Sequence, residues 1–145
     1  MLKNWKFITI ALVFIFLIIQ FIPVDKNNPP TIGEITPPLE VKSILQRSCY
    51  DCHSHQTVWP WYSRIAPVSW LIAHDVKEGR DHLNFSTWSA YNQRQQLKLY
   101  EEIQEVIEKN EMPLKSYLWI HPSAKLTNAD KRILKAWLST TPSAN

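Results

Sequence analysis

The sequence predicts a small all-α domain preceded by one transmembrane helix, and three observations predict it. Residues 7–22 form an apolar run broken only by Thr9 and Gln20. Four later segments carry apolar residues at helical spacing, and no segment alternates apolar and polar residues as a half-buried strand would. The chain has 145 residues with ten Pro and two Gly, room for one compact domain plus extensions. Two glycines cannot furnish a phosphate-cradling loop, and no protease, kinase or dinucleotide pattern is present. Beyond residue 22 the chain carries 14 basic and 13 acidic side chains, so its basic balance is no argument for nucleic acid. Seven tryptophans suggest a core built around something large and flat.

Residues 1–22 are expected to be an N-terminal transmembrane anchor. At about 1.5 Å per residue the run from 7 to 22 measures some 24 Å, which Trp5 and a snorkelling Lys6 can extend. The competing expectation is a cleaved signal peptide, against which stand the length of the run and the lack of a small-x-small site near Pro23. Lys3 and Lys6 precede the span and acids follow it, so the positive-inside bias points the domain out of the cytoplasm, into the periplasm from the inner membrane. Residues 23–38, with five prolines, Asn27, Asn28 and Gly33, resist helix and strand alike and are expected to form a Pro-rich linker. Residues 39–145 form the domain proper.

Within it, Leu39, Val41, Ile44 and Leu45 fit a short helix over 39–51. Pro60 and Pro67 bracket a tryptophan-rich loop, and a helix over 68–78 is expected to end at Gly79. The segment 89–109 sets Leu99, Ile103, Val106 and Ile107 on one stripe and Glu101, Glu102, Glu105 and Glu108 opposite, a solvated acidic face. A last helix starts near Thr127 or Asn128 with Asp130 in its first turn, and places Ile133, Leu134, Trp137 and Leu138 together.

The only two cysteines stand in Cys49-Tyr50-Asp51-Cys52-His53, the pattern of c-type haem attachment. Positions i, i+3 and i+4 share a helix face, so both sulfurs can meet the haem vinyls while His53 reaches the iron from the same side. Other chemistries fit less well. A disulfide this short adds little loop entropy, a redox dithiol wants a strand–helix context, and zinc shared with His55, His74, His82 or His121 lacks a second tight ligand pair. For the iron's other face, Met112 is the sole methionine apart from Met1, in a loop between the long helix and the last one. A loop thioether suits a His/Met electron carrier, whose potential it raises relative to His/His; filling a core gap is the alternative. His55 lies too close to His53 to reach the opposite face. His74, His82 and His121 are expected to be ordinary histidines, although His74 or His82 could supply bis-His ligation. One or two tryptophans are expected at the macrocycle, with an indole N–H or Arg64 near a propionate.

From about residue 40 to residue 138 the chain resembles the bacterial haem-binding domain cytochromes, single-haem proteins often found beside or fused to cytochrome c peroxidase-type modules. The resemblance rests on Ser48-Cys49-Tyr50-Asp51-Cys52-His53-Ser54, Trp59-Pro60-Trp61-Tyr62-Ser63, Ala66-Pro67-Val68-Ser69-Trp70, Glu78-Gly79-Arg80 and Leu83-Asn84-Phe85-Ser86. Met112-Pro113 and the terminal helix with Trp137 also resemble small cytochromes c more widely. The resemblance implies a cytochrome c-like helical domain around a covalent haem c, its first and last helices crossing, with His53 and Met112 as axial ligands. The expected function is then a membrane-anchored, periplasmic one-electron carrier and not an enzyme, with no small-molecule substrate. Its partners would be membrane electron donors and periplasmic acceptors such as a peroxidase or an oxidase. The alternative is a haem-based gas or redox sensor, which carbon monoxide binding would separate from a carrier; a zinc-binding module is the more distant one.

Overall fold

The computed structural model describes residues 2–140, with side chains from Trp5 onward. Met1, residues 141–145 and the Lys3 side chain, part of the orientation argument, lie outside the described residues. Helix α1 spans Leu2–Ile19. No helix among the described residues is long and apolar enough to cross a membrane, which overturns the expected transmembrane helix. At about 1.5 Å per residue α1 measures about 27 Å, and its first turns hold Lys3, Asn4 and Lys6. The apolar part, residues 7–19, therefore covers about 20 Å against a hydrocarbon core of about 30 Å. Gln20 marks where the helix stops. Its Nε2 donates to Phe16 O (2.8 Å) and Ala66 O (3.2 Å), and its Oε1 accepts from Ala66 N (2.9 Å), so Phe21 and Ile22 fall outside the helix.

Residues 23–38 contain no helix or strand but lie as a strap along the domain. Ile32 N and Ile35 N donate to Ser86 O and Phe85 O, at 2.9 and 3.0 Å, and Ser89 N donates to Gly33 O at 2.9 Å. Ile35 is buried in the core. Gly33 has φ of 68°, and a Cβ there would stand 1.8 Å from Ser89 Oγ, so both dihedral and neighbour demand glycine.

The first domain helix is divided in two. Helix α2, Leu39–Ser48, buries Val41, Ile44 and Leu45. The chain leaves helical geometry at Cys49 (φ −128°) and makes a single further turn, α3, Tyr50–His53, with His53 N donating to Cys49 O at 2.9 Å. Helix α4, Val68–His82, runs through Gly79 instead of ending there. A Cβ on Gly79 would lie 2.6 Å from Cys52 O, so the glycine serves a close approach of α4 to α3. After a 3₁₀ segment, Phe85–Ala90, helix α5, Gln93–Lys109, starts later than position 89. Asn92 caps it in a reciprocal pair with Gln95, and Asn110 ends it in the left-handed region (φ 57°).

Helix α6, Lys115–Ile120, and helix α7, Asn128–Thr140, complete the domain. Thr127 Oγ1 accepts from Asp130 N (3.1 Å), and Asp130 Oδ2 accepts from Thr127 N (2.8 Å) and Arg47 (2.7 Å), joining α7 to α2. The first and last domain helices thus pack on each other. Among the described residues no strand is present. Leu45, Phe85 and Leu134 centre the core, with Leu99, Ile103 and Ile107 supplied by the predicted stripe of α5.

Candidate functional site

A mostly apolar cavity of about 510 Å³ opens between α3, α4, α5 and α6, within the range of about 300–1,000 Å³ typical of cofactor sites. Cys49, Cys52, His53 and Met112 all line it. The fold thus gathers residues 59 positions apart onto one cavity.

His53 is held by the end of α4. Its Nδ1 donates to Gly79 O (2.9 Å) and Leu83 O (3.1 Å), which leaves Nε2 as the ring nitrogen with a free lone pair. Burial pushes its pKa down, against the two backbone hydrogen bonds, so the imidazole is neutral and able to ligate. An imidazole oriented by carbonyls on its other nitrogen is the usual arrangement of a metal-binding histidine. Burial, together with Cys52, pushes the Cys49 thiol up to about 12; burial, Asp51 and Asp75 push Cys52 up to about 11. Both are free thiols, poor nucleophiles for dithiol exchange at neutral pH. Among the described residues no group of three or more His, Cys, Asp or Glu could hold a metal ion, which leaves the zinc alternative without a ligand set.

The residues fit a haem. The cavity offers a mostly apolar wall, two thiols, an imidazole nitrogen and a thioether, the donor set and surroundings a haem requires. His53 and Met112 would hold the iron, and Cys49 and Cys52 the vinyl edge.

The other histidines separate clearly. His55 is engaged by Pro30 O (3.0 Å) and Asn84 Nδ2 (2.8 Å) and does not line the cavity; neither does the exposed His74. His82 lines its edge and pairs with Glu102 at 3.1 Å. His121 also lines it, hydrogen-bonded to Tyr62 and stacked on Tyr117 with ring centroids 4.4 Å apart.

No tryptophan lines the cavity, contrary to expectation, and neither does Arg64. Trp88 is buried in the core behind Phe85, while Trp61 and Trp119 are 74% and 85% exposed. The aromatic wall consists instead of Tyr62, Phe85, Tyr117 and His121. Asp51 is the other residue that sequence reasoning passed over. From between the two cysteines, its carboxylate accepts from Val58 N (2.9 Å) and from the Tyr117 hydroxyl (2.6 Å). Its place inside the attachment motif was the one available signal.

Compared with known families, residues 14–140 match the model described as the haem-binding domain. No curated protein and no solved structure matches the chain.

Proposed function

The chain belongs to the haem-binding domain family, and from that premise we propose that it is a periplasmic monohaem c-type cytochrome passing single electrons between redox proteins. The observation that carries this reading is the cavity shared by Cys49, Cys52, His53 and Met112, with His53 Nδ1 already engaged by carbonyls. Bound there, the haem supplies a reversible ferric–ferrous couple.

The chain's residues do the rest. Cys49 and Cys52 would hold the haem covalently, each S–H adding across one vinyl group, sulfur to one carbon and hydrogen to its neighbour, so that no oxidant is required. His53, with Nδ1 engaged by the two carbonyls, would hold the iron through Nε2. Met112, which lines the same cavity, would offer the iron a soft thioether, a donor that favours the ferrous state. An iron held by both His53 and Met112 would leave no position for a substrate, which supports reading the protein as a carrier and not an enzyme, with no small-molecule substrate. Thioether attachment takes place outside the cytoplasm, which favours a periplasmic domain served by membrane donors and acceptors such as a peroxidase or oxidase.

A haem-based sensor is the second reading, because Met112 is 37% exposed and a small gas could displace it. One set of spectra separates the two. For the carrier, haem stays with the chain in a denaturing gel and the oxidised protein is six-coordinate and low-spin, with a weak long-wavelength sulfur-to-iron band. The reduced protein then resists carbon monoxide, and Met112→Ala removes the band and admits the gas. A bare chain mass after expression with the cytochrome c maturation machinery would overturn covalent attachment; ready carbon monoxide binding by the wild type would favour the sensor.

A further inference from the structure

The segment that carries Met112 is poorly buried. Between Asn110 and Ile120 no residue falls in the core, and α6 contributes no buried side chain. Upstream the segment is tied by Glu111 N, which donates to Val106 O at 2.9 Å. Downstream, two side-chain hydrogen bonds join it to other elements: the Tyr117 hydroxyl donates to Asp51 Oδ2 at 2.6 Å, and His121 bonds Tyr62. The first is the more consequential, because Asp51 sits between the two cysteines. It ties the sixth-ligand segment directly to the attachment turn. Asp51 is itself fixed, with Oδ1 accepting from Val58 N and its backbone carbonyl accepting from Thr57 Oγ1 at 2.7 Å. Tyr117 is further braced by its stack on His121.

We propose that Tyr117 is a positioning residue: through Asp51 it holds the Met112 segment at the cavity that His53 also lines and sets how firmly the thioether occupies the iron's sixth position. The proposal rests on Met112 being a ligand and deepens that reading. No side chain of the segment reaches the protein's own core, so the charge-assisted hydrogen bond from Tyr117 to Asp51 is a direct polar anchor between it and the attachment turn.

The test compares wild-type holoprotein with Tyr117→Phe, which deletes only the hydroxyl, and with Tyr100→Phe, a hydroxyl deletion away from the cavity. Carbon monoxide reaches the reduced iron only while the sulfur is off it, so its uptake reports the open fraction. Tyr117→Phe is expected to take up carbon monoxide about tenfold to a hundredfold faster, as loss of a hydrogen bond to a charged acceptor implies, and to weaken the sulfur-to-iron band. Tyr100→Phe should match the wild type. Should Tyr117→Phe not yield folded holoprotein, Asp51→Asn carries the same readout: a weaker acceptor should give a smaller acceleration, and wild-type uptake would overturn the proposal. If the wild type shows the band and Tyr117→Phe leaves band and uptake unchanged, the proposal falls while Met112 remains the ligand. If the wild type lacks the band, Met112 is not the ligand and both fall together.

Discussion

At the residue scale, chemistry depends on which atom of a side chain is already occupied. His53 Nδ1 is taken by two carbonyls, so only Nε2 can reach a metal. Met112→His should therefore keep six coordination but lower the reduction potential, because imidazole favours the ferric state more than a thioether does. His74→Ala and His82→Ala should leave spectrum and potential unchanged; loss of low-spin character in either would transfer the ligand role to that histidine. Asp130 shows the same economy in a structural setting. Burial works against its carboxylate, but the Thr127 N–H, the Arg47 guanidinium and the Thr127 hydroxyl outweigh it and hold the pKa below 3.8. A native pKa below the unfolded one stabilises the fold above about pH 4, and that contribution is lost as pH falls through the native value. Asp130→Ala, which removes the acceptor shared by Arg47 and Thr127, should cost about 1.5–3 kcal/mol at neutral pH, the range for hydrogen bonds to a charged group, measured by denaturant midpoint, and the cost should shrink in acid.

At the element scale, α4 organises the site, since its last turn supplies Gly79, which gives one carbonyl to His53 and lets α3 approach, and the residue that follows it, Leu83, supplies the other carbonyl. Gly79→Ala would press a methyl against Cys52 O at 2.6 Å and is expected to destabilise the holoprotein by about 1–3 kcal/mol, the range for overpacking. Thermal melts followed at the haem absorption would measure it. Arg80 is the element's other contribution. Its guanidinium donates to Ser54 O, Asn27 O, Asn28 Oδ1 and Thr57 Oγ1, riveting the strap to the loop after the attachment turn. Arg80→Ala should free the strap to proteolysis within residues 23–34 before the domain itself is cut, a difference visible by mass spectrometry of early fragments.

At the scale of the whole molecule, the helical class was legible because α5 and α7 each carry a long apolar stripe, and Leu99, Ile103, Ile107, Leu134 and Leu138 are buried as periodicity demands. The cofactor was legible from five consecutive residues, 49–53, and the family from those together with the segments around 59–63, 66–70, 78–80 and 83–86. What failed were inferences in which one residue type stood for one role. Glycine often ends a helix, which makes Gly79 read as a terminus in the sequence, whereas its cause lies in another element's backbone. Hydropathy counted Gln20, Phe21 and Ile22 into an apolar run, and a hydrogen bond to Ala66, distant in sequence, ends the helix before them. Tryptophans were assigned to the cofactor by size, while the wall was built from tyrosine, phenylalanine and histidine. Such causes are tertiary and leave no trace in local pattern.

The strap and the end of α4 bear on the order in which the protein is assembled. The partners that immobilise His53 belong to residues 79 and 83, and those that dock the strap to residues 85, 86 and 89. All come some 26 or more positions after the attachment turn in a chain synthesised from its N-terminus. The two thiols therefore emerge into an interval in which nothing yet covers them, and the structure that later shields them is made by residues still to come. Haem attachment at these thiols, as proposed, would thus be matched to an unfolded chain and not to a finished domain, and a preassembled apo domain is expected to be the poorer substrate for attachment.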